Sequence, residues 1–172
     1  MQIKPFTGTD HEFKEIARVQ NLVHHDSTNH PDDLKQSWSI RDISKVSDKQ
    51  LLYQSGKLIG VIHYTQGRDV NKHNTYFNIY LDPSYNNNGY RELLYKKMLS
   101  EIKKYDSDKL FPYVYNHPNY AHYKKFLEDT GFTLAQTNRE YSCNIKEIDL
   151  DKYKPLIKKL ESEGIIFYDS KK

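Results

Sequence analysis

The stretch NNNGYR at residues 86–91 combines residue types that can bind an anion. Asn and Gly adopt left-handed backbone angles at little cost, so such a run can turn successive N–H groups toward one centre. A helix is predicted to begin near Tyr90, and its free N–H groups and dipole favour a phosphate at that point. The other interpretation is a polar turn capped by Asn88 and Gly89, and both interpretations fit the stretch alone.

Histidine and cysteine are two further residue types that could do chemistry in this chain. His24, His25 and His30 surround Asp26, but adjacent histidines on a helix point well apart, so we expect no metal site there. The single cysteine, Cys143, lies in an alternating stretch and is predicted to be a strand residue. One cysteine excludes an internal disulfide and favours a reducing, intracellular setting.

Length and charge limit the class of protein. The chain has 172 residues, which favours a single domain over 1–172. Lys and Arg number 26 against 23 Asp and Glu, and the two signs are interspersed, which argues against a nucleic-acid partner. The sequence has no apolar run of membrane-spanning length and no signal-peptide pattern, so we predict a cytoplasmic protein without a membrane partner.

These residues must be positioned by an alternation of strands and helices. Thr9 and Glu12 have capping-box spacing before a first helix, and Pro31 opens a second. The hydrophobic pattern predicts a three-stranded meander with a turn at residues 55–56, and helices alternating with strands after it. Pro112 cannot donate to a β-ladder, so its strand should be an edge strand or be separated from a neighbour. The prediction is a mixed α/β fold with a mostly antiparallel sheet flanked by helices.

This order, together with the Asn-rich loop, resembles the GNAT superfamily of acyl-CoA-dependent N-acyltransferases over nearly the whole chain. The family signature Q/R-x-x-G-x-G/A falls on residues 86–91, where Gly89 matches outright. Upstream, IYLDPSY is similar to the family's approach to this loop, and downstream KKFLEDTGF is similar to its late helix ending in Gly-Phe.

The resemblance implies a binding site for acetyl-CoA. Backbone N–H groups of the loop and helix start would bind its pyrophosphate, and the edge of the preceding strand would pair with its pantetheine amides. A backbone N–H near Leu81 would face the acetyl oxygen. The family's sheet splays beside the cosubstrate, which agrees with the strand that contains Pro112. The residues implied in cosubstrate binding are Ile79, Tyr80, Leu81, Asn87, Asn88, Gly89, Tyr90, Arg91 and Glu92.

Two positions depart from the family pattern. Arg91 stands where the family has Gly or Ala, and its side chain would either bind a phosphate or crowd the loop. Leu127 stands where many members have the Tyr that protonates the departing thiolate. Tyr123, one helical turn earlier, is the nearest substitute for this catalytic acid, with packing as the alternative role.

The resemblance implies an N-acetyltransferase that moves an acetyl group to a primary amine of a small molecule or peptide by direct attack. The alternative is a non-catalytic acyl-CoA-binding or scaffolding domain, because residues 15–36 and the tail 146–172 resemble the N-terminal half of tandem GNAT proteins. The tail is predicted to be a helix plus a last strand at the junction to a second domain, and its exposed strand would allow a homodimer.

Overall fold

The computed structural model describes residues 1–24, 28–67, 74–86, 88–105, 107–138 and 149–166. The chain divides into two compact units, Met1–Thr133 and Leu134–Lys172. The described residues of the first unit form a five-stranded sheet, four α-helices and two short 3-10 helices. The second contains, among its described residues, a short 3-10 helix at Leu150–Tyr153 and the helix Lys154–Ser162.

The sheet of the first unit has the strands in chain order, β1-β2-β3-β4-β5. β1 to β4 pair antiparallel, and β4 pairs with β5 in parallel. This confirms the predicted mixed, mostly antiparallel sheet. The bounds are β1 Gln2–Pro5, β2 Ser47–Gln54, β3 Lys57–Gln66, β4 Asn74–Leu81 and β5 Lys109–Pro112.

Helices cover both faces of this sheet, with the bounds α1 Asp10–Val23, α2 Pro31–Ser39, α3 Tyr90–Ile102 and α4 Ala121–Asp129; the helix of the second unit is α5. Alternating strand residues divide the core accordingly. One cluster joins the sheet to α3 and α4 and includes Ile79, Leu81, Leu94 and Phe126. The other joins it to α1 and α2 through Phe13, Val61 and Trp38.

Local sequence signals explain several element ends. Thr9 and Glu12 form the predicted capping box at the start of α1. The predicted hairpin turn between β2 and β3 carries left-handed Ser55 and Gly56. Gly60 in β3 leaves space for two neighbouring side chains, because a Cβ there would lie 2.9 Å from Leu81 Cδ1 and 3.1 Å from Leu94 Cδ1. A small residue at this position lets α3 pack closely on the sheet.

The late strands predicted from the sequence are not seen in the described residues. Residues 132–138 are irregular, and the rest of that predicted strand, 139–145, lies outside the described residues. Ile165 and Ile166 are likewise irregular and exposed, and residues 167–168 of the predicted last strand lie outside. No described helix is both long and apolar enough to cross a bilayer.

Candidate active site

In the first unit, β4 and β5 part after four residue pairs, and we call the gap between the parted strands the cleft. The two strands pair only from Asn74↔Lys109 to Phe77↔Pro112. One more hydrogen bond follows, from Tyr113 N to Phe77 O at 3.4 Å. Beyond it, no described residue pairs with this edge of β4. Pro112 therefore stands where the ladder ends, as expected of a residue without an N–H.

The direction of the β4 backbone shows which groups line the cleft. Phe77 O accepts from the β5 side, whereas Asp82 N donates to Ile59 O on the β3 side at 2.8 Å. Backbone groups alternate between the two edges of a strand, so Ile79 and Leu81 direct N–H and C=O toward the missing partner. Their apolar side chains are buried. The cleft thus presents main-chain donors and acceptors above an apolar floor.

The N-terminus of α3 lies just beyond this edge. Asp82 caps a short 3-10 helix at Pro83–Tyr85 by accepting from Ser84 N, and the chain then reaches Gly89. Gly89 is the N-cap of α3 with φ 69°, and its position supplies no capping side chain. The first N–H groups of α3 consequently lack the internal acceptor that a Ser or Asp cap would provide. Such a helix start favours an anion.

Arg91 in the first turn of α3 is buried, with 6% of its surface exposed. Its Nη2 donates to Asn86 Oδ1 at 2.7 Å, whereas its Nε has no hydrogen-bond partner. Burial lowers the pKa of the guanidinium, although not enough to discharge it. A cavity of about 160 Å³ adjoins Arg91, between the start of α3 and the α4 residues His122 and Lys125. Arg91 is thus a buried cation with a free donor beside a cavity.

Tyr123 of α4 lies on the same side of the sheet, 3% exposed. Its ring is 5.9 Å from the Arg91 guanidinium, and its hydroxyl is buried without a hydrogen-bond partner. Burial raises the pKa of this hydroxyl, while the nearby Ile79 N–H acts in the opposite direction. The hydroxyl therefore stays protonated at neutral pH and lies near a main-chain donor of the cleft. Leu127, one turn later, is buried in the apolar core.

The opposite side of the cleft is lined by aromatic rings. The His24 ring, at the end of α1, is 5.4 Å from the Tyr80 ring and 5.6 Å from the Tyr115 ring. His24 Nδ1 also lies 2.6 Å from the Tyr120 hydroxyl. Burial raises the pKa of Tyr80 to about 12. The Asn78 amide nitrogen, in the orientation that satisfies both ends of that amide, donates to Tyr113 O at 2.5 Å. Asn78 thus bridges the strands where they part.

Solved structures share this architecture. An aminoglycoside 6′-N-acetyltransferase from Acinetobacter haemolyticus superposes with a TM-score of 0.63 at 16% identity, over 84% of this chain and 99% of its own. A ribosomal-protein-alanine N-acetyltransferase from Brucella melitensis gives 0.61 at 12%, over 83% and 98%. A protein ascribed to the GNAT family from Desulfovibrio desulfuricans gives 0.64 at 12%, over 78% and 86%. The chain has the GNAT fold. At the level of sequence, neither a family model nor a curated protein matches it.

Within this GNAT fold, the residues predicted to bind the cosubstrate lie together at the end of β4 and the start of α3. Ile79 and Leu81 line the cleft with main-chain groups, whereas the Tyr80 side chain faces the α1 side. Asn88 and Glu92 are exposed, and Tyr90 donates to Gln54 Oε1 at 3.2 Å. Asn87 lies outside the described residues. The described part of the chain holds no group of three or more His, Cys, Asp or Glu placed to bind a metal.

Strand alternation indicated Tyr80 as a residue that could line the site, but the sequence did not indicate that His24, Tyr115 and Tyr120 join it, nor that Lys49 is buried on the same face. Tyr113 and Tyr115 alternate along the chain after β5, which was a usable signal for a shared face. Lys49 gave no such signal, because a lysine among polar residues at the start of a strand is usually exposed. In the structure it is only 9% exposed.

Proposed function

We propose that this protein is an acetyl-CoA-dependent N-acetyltransferase that transfers an acetyl group to a primary amine. The observation that carries the proposal is the unpaired edge of β4, which leads directly to an α3 N-terminus without a capping side chain. A thioester carrying amides and a pyrophosphate needs extended main-chain partners followed by an anion site. The cleft offers both in that order.

The residues present fit acetyl-CoA. Ile79 and Leu81 would pair with the pantetheine amides, and the N–H groups at residues 88–92 would bind the pyrophosphate. The left-handed backbone of Gly89 shapes this loop, and the free Nε of Arg91 provides a buried cationic donor for a phosphate oxygen. Acetyl-CoA itself supplies an acetyl group activated as a thioester.

The chain's own groups can serve each step of a direct transfer. In that reaction a neutral amine forms the new C–N bond, the C–S bond breaks, the amine loses a proton and the sulfur gains one. The Leu81 or Ile79 N–H would donate to the acetyl oxygen as negative charge develops on it. The Tyr123 hydroxyl, protonated at neutral pH and buried beside Ile79, would give its proton to the departing sulfur.

A titration of the chain with acetyl-CoA, followed by isothermal calorimetry, tests the binding part of this proposal. Gly89→Trp should abolish binding, because it puts a bulky side chain and a strained left-handed residue where the pyrophosphate would lie. Gly56→Trp is the matched control, since Gly56 is also left-handed, with φ 81°, and lies in an open hairpin turn. Equal binding by both variants, or no binding by the folded wild type, would remove the basis of the proposal.

Tyr123→Phe tests the acid. Loss of the hydroxyl should lower kcat by about 10²-fold or more, the usual contribution of a general acid, while acetyl-CoA affinity stays within about threefold. Tyr64→Phe serves as the control, because Tyr64 is also buried in the core but donates a hydrogen bond from its hydroxyl to Asp48, away from the cleft. An unchanged kcat for Tyr123→Phe would assign Tyr123 to packing alone.

One observation favours a second function, an acyl-CoA-binding domain without catalysis. Leu127 occupies the position expected of the acid, and its hydrocarbon side chain, which is buried among apolar residues, has no proton to donate. If this function is correct, acetyl-CoA will bind and Gly89→Trp will abolish binding, but no amine in a broad panel will be acetylated. The resemblance to tandem proteins, the homodimer and the cytoplasmic location stay predictions.

A further inference from the structure

A buried lysine lies on the α1 side of the sheet, and no described carboxylate pairs with it. Lys49 of β2 is 9% exposed, and within the described residues its Nζ forms no hydrogen bond or salt bridge. Two aromatic rings lie close to it, since Nζ is 3.8 Å from the centre of the Trp38 ring and 5.2 Å from the centre of the Phe6 ring. A lysine this buried is almost always paired, so Lys49 is an exception that calls for a reason.

A second cation shares the same ring. The Arg41 guanidinium lies 3.9 Å from the Trp38 ring, and its Nη1 donates to Trp38 O at 2.6 Å. Burial, followed by the charge of Arg41, lowers the pKa of Lys49 to about 8, and the Asp48 charge opposes this shift only weakly. The Asp48 carboxylate is directed to the other face, where it accepts from the Tyr64 hydroxyl at 3.2 Å. Lys49 and Arg41 therefore form an incompletely neutralised cationic pair, which we call the Trp38 pair.

Lys49 of the Trp38 pair lies in one cross-strand row with the mouth of the cleft. Lys49 is opposite His63 on β3, and His63 is opposite Asn78 on β4. Two strand spacings separate Lys49 from Asn78, a distance of about 10 Å. Ser47 Oγ and His63 Nε2 lie 3.4 Å apart in the same region. A polar path thus crosses the sheet from the Trp38 pair to the point where β4 and β5 part.

The strand residues of this face carry charge of one sign. Strand alternation places three lysines on it, Lys4, Lys49 and Lys109, and no Asp or Glu at the strand positions that the structure describes. The carboxylates of α1 on this side, Glu12 and Glu15, act on Tyr53 and bond to Thr9 and Arg18. The region around Lys49 and Arg41 therefore favours anions over polycationic amines. The path toward the cleft is bordered by exposed rings, among them Tyr76 and Tyr113, which are 46% and 45% exposed. Aromatic rings of this kind can contact the body of an acceptor without selecting its charge.

We propose that this face binds the acceptor, and that the acceptor carries an anionic group, a carboxylate or phosphate, which the Trp38 pair recognises while its amine enters the cleft. This inference rests on the proposed function, because it assigns the substrate class of the same site. The acceptor would hold its amine and its anion about 10 Å apart, the length of about three extended peptide residues. The short peptide with a free carboxylate is the simplest member of this class.

Three peptides of equal length test the proposal as acceptors. Gly-Ala-Ala with a free carboxylate is compared with its C-terminal amide and with Gly-Ala-phosphoserine amide. The wild type should acetylate at least one of the two anionic peptides with a kcat/KM at least tenfold above that of the neutral amide. Preference between carboxylate and phosphate identifies the anion. Equal kcat/KM values for all three peptides would overturn the inference.

Two variants separate the Trp38 pair from general effects. Lys49→Met and Arg41→Gln should remove the preference for the anionic peptide, mainly through KM, and leave kcat/KM for the amide within about threefold. The control Lys4→Met changes a lysine on the same face but away from the row, and should keep the preference. A loss that is equal for the acid and the amide would mean a structural role for Lys49 and would refute recognition.

Binding of the peptides without acetyl transfer distinguishes failure of this inference from failure of the proposed function. In an NMR titration of Lys49 Nζ in the wild-type chain, the anionic peptide should raise the Lys49 pKa, and the amide should not. This result can be obtained whether or not acetyl-CoA binds. If acetyl-CoA binds but the peptide does not change the Lys49 pKa, only the inference about the acceptor is refuted. If the Lys49 pKa changes but acetyl-CoA does not bind, the acetyltransferase assignment is refuted.

Discussion

Replacing Lys49 by Met should stabilise the protein at neutral pH. The pKa of Lys49 falls from an ordinary 10.5 to about 8, chiefly because burial penalises its charge. At about 1.4 kcal/mol per pKa unit, this difference corresponds to a cost of about 3 kcal/mol in the folded state. Contacts of Nζ with the Trp38 ring offset part of the gain on substitution, by about 0.5–2 kcal/mol. We therefore expect Lys49→Met to raise the free energy of unfolding by about 1–3 kcal/mol.

The sign of the pH dependence follows from the same pKa. Below pH 8, Lys49 is protonated in both the folded and unfolded states, and the cost is fully present. Between pH 8 and 10.5 the folded state loses the proton first, so the wild type gains stability as pH rises through this window. The advantage of Lys49→Met should accordingly shrink between pH 7 and pH 10.

Urea unfolding of the wild type and of Lys49→Met at pH 7, 9 and 10 measures this difference. Lys4→Met, at an exposed position on the same face, should change the free energy of unfolding by no more than about 0.5 kcal/mol. If Lys49→Met destabilises the chain by more than about 1 kcal/mol at pH 7, or if its effect does not vary with pH, the reasoning about an unpaired buried charge is wrong.

Two further predictions concern the acid range and the cosubstrate. Burial and the charge of Lys49 lower the pKa of His63 from 6.5 to about 3, so the folded state should lose about 2 kcal/mol or more of stability as pH falls from 6.5 to 4. His63→Gln should flatten this part of the stability–pH curve. An unchanged slope would show that His63 does not cause the loss. Arg91→Ala removes a buried donor that we expect to meet a phosphate, so acetyl-CoA affinity measured by calorimetry should fall about 10- to 100-fold. Tighter binding by Arg91→Ala would instead show that Arg91 crowds the loop.

Much of the fold could be predicted from local signals. The capping box at Thr9, the hairpin turn at Gly56 and the helix stop at Gly131 each depend on a few neighbouring residues, and the structure confirms them. The consequence drawn from Pro112 also holds, because a missing N–H acts at a single position. The strand predicted over residues 132–145 is not seen in its described part, 132–138, which is irregular. An alternating pattern shows that a segment fits a strand but supplies no partner, and tertiary pairing decides whether one forms.

The cleft and the Trp38 pair differ in how far they could be predicted. The resemblance predicted the residues around Gly89, because a glycine within an Asn-rich stretch before a helix can be recognised in the sequence. The burial of Lys49 depends on Trp38 and Phe6, which come from distant segments. The pattern of residues in β2 alone therefore does not predict the contact of Lys49 with these two rings. The same holds for Tyr123 and Arg91. Each has a buried polar atom without a hydrogen-bond partner, and this depends on packing in the folded structure, which the residue types do not reveal.

The free edge of β4 bears on how many sequences can form this site. Its donors and acceptors at Ile79 and Leu81 are peptide groups, which every residue other than proline supplies in full. Such an edge needs an extended backbone and an apolar floor, and many combinations of side chains of suitable size provide both. The same geometry can therefore be built from sequences that have little in common. The chain agrees with this, because it superposes on solved structures at 12–16% identity although no family model matches its sequence.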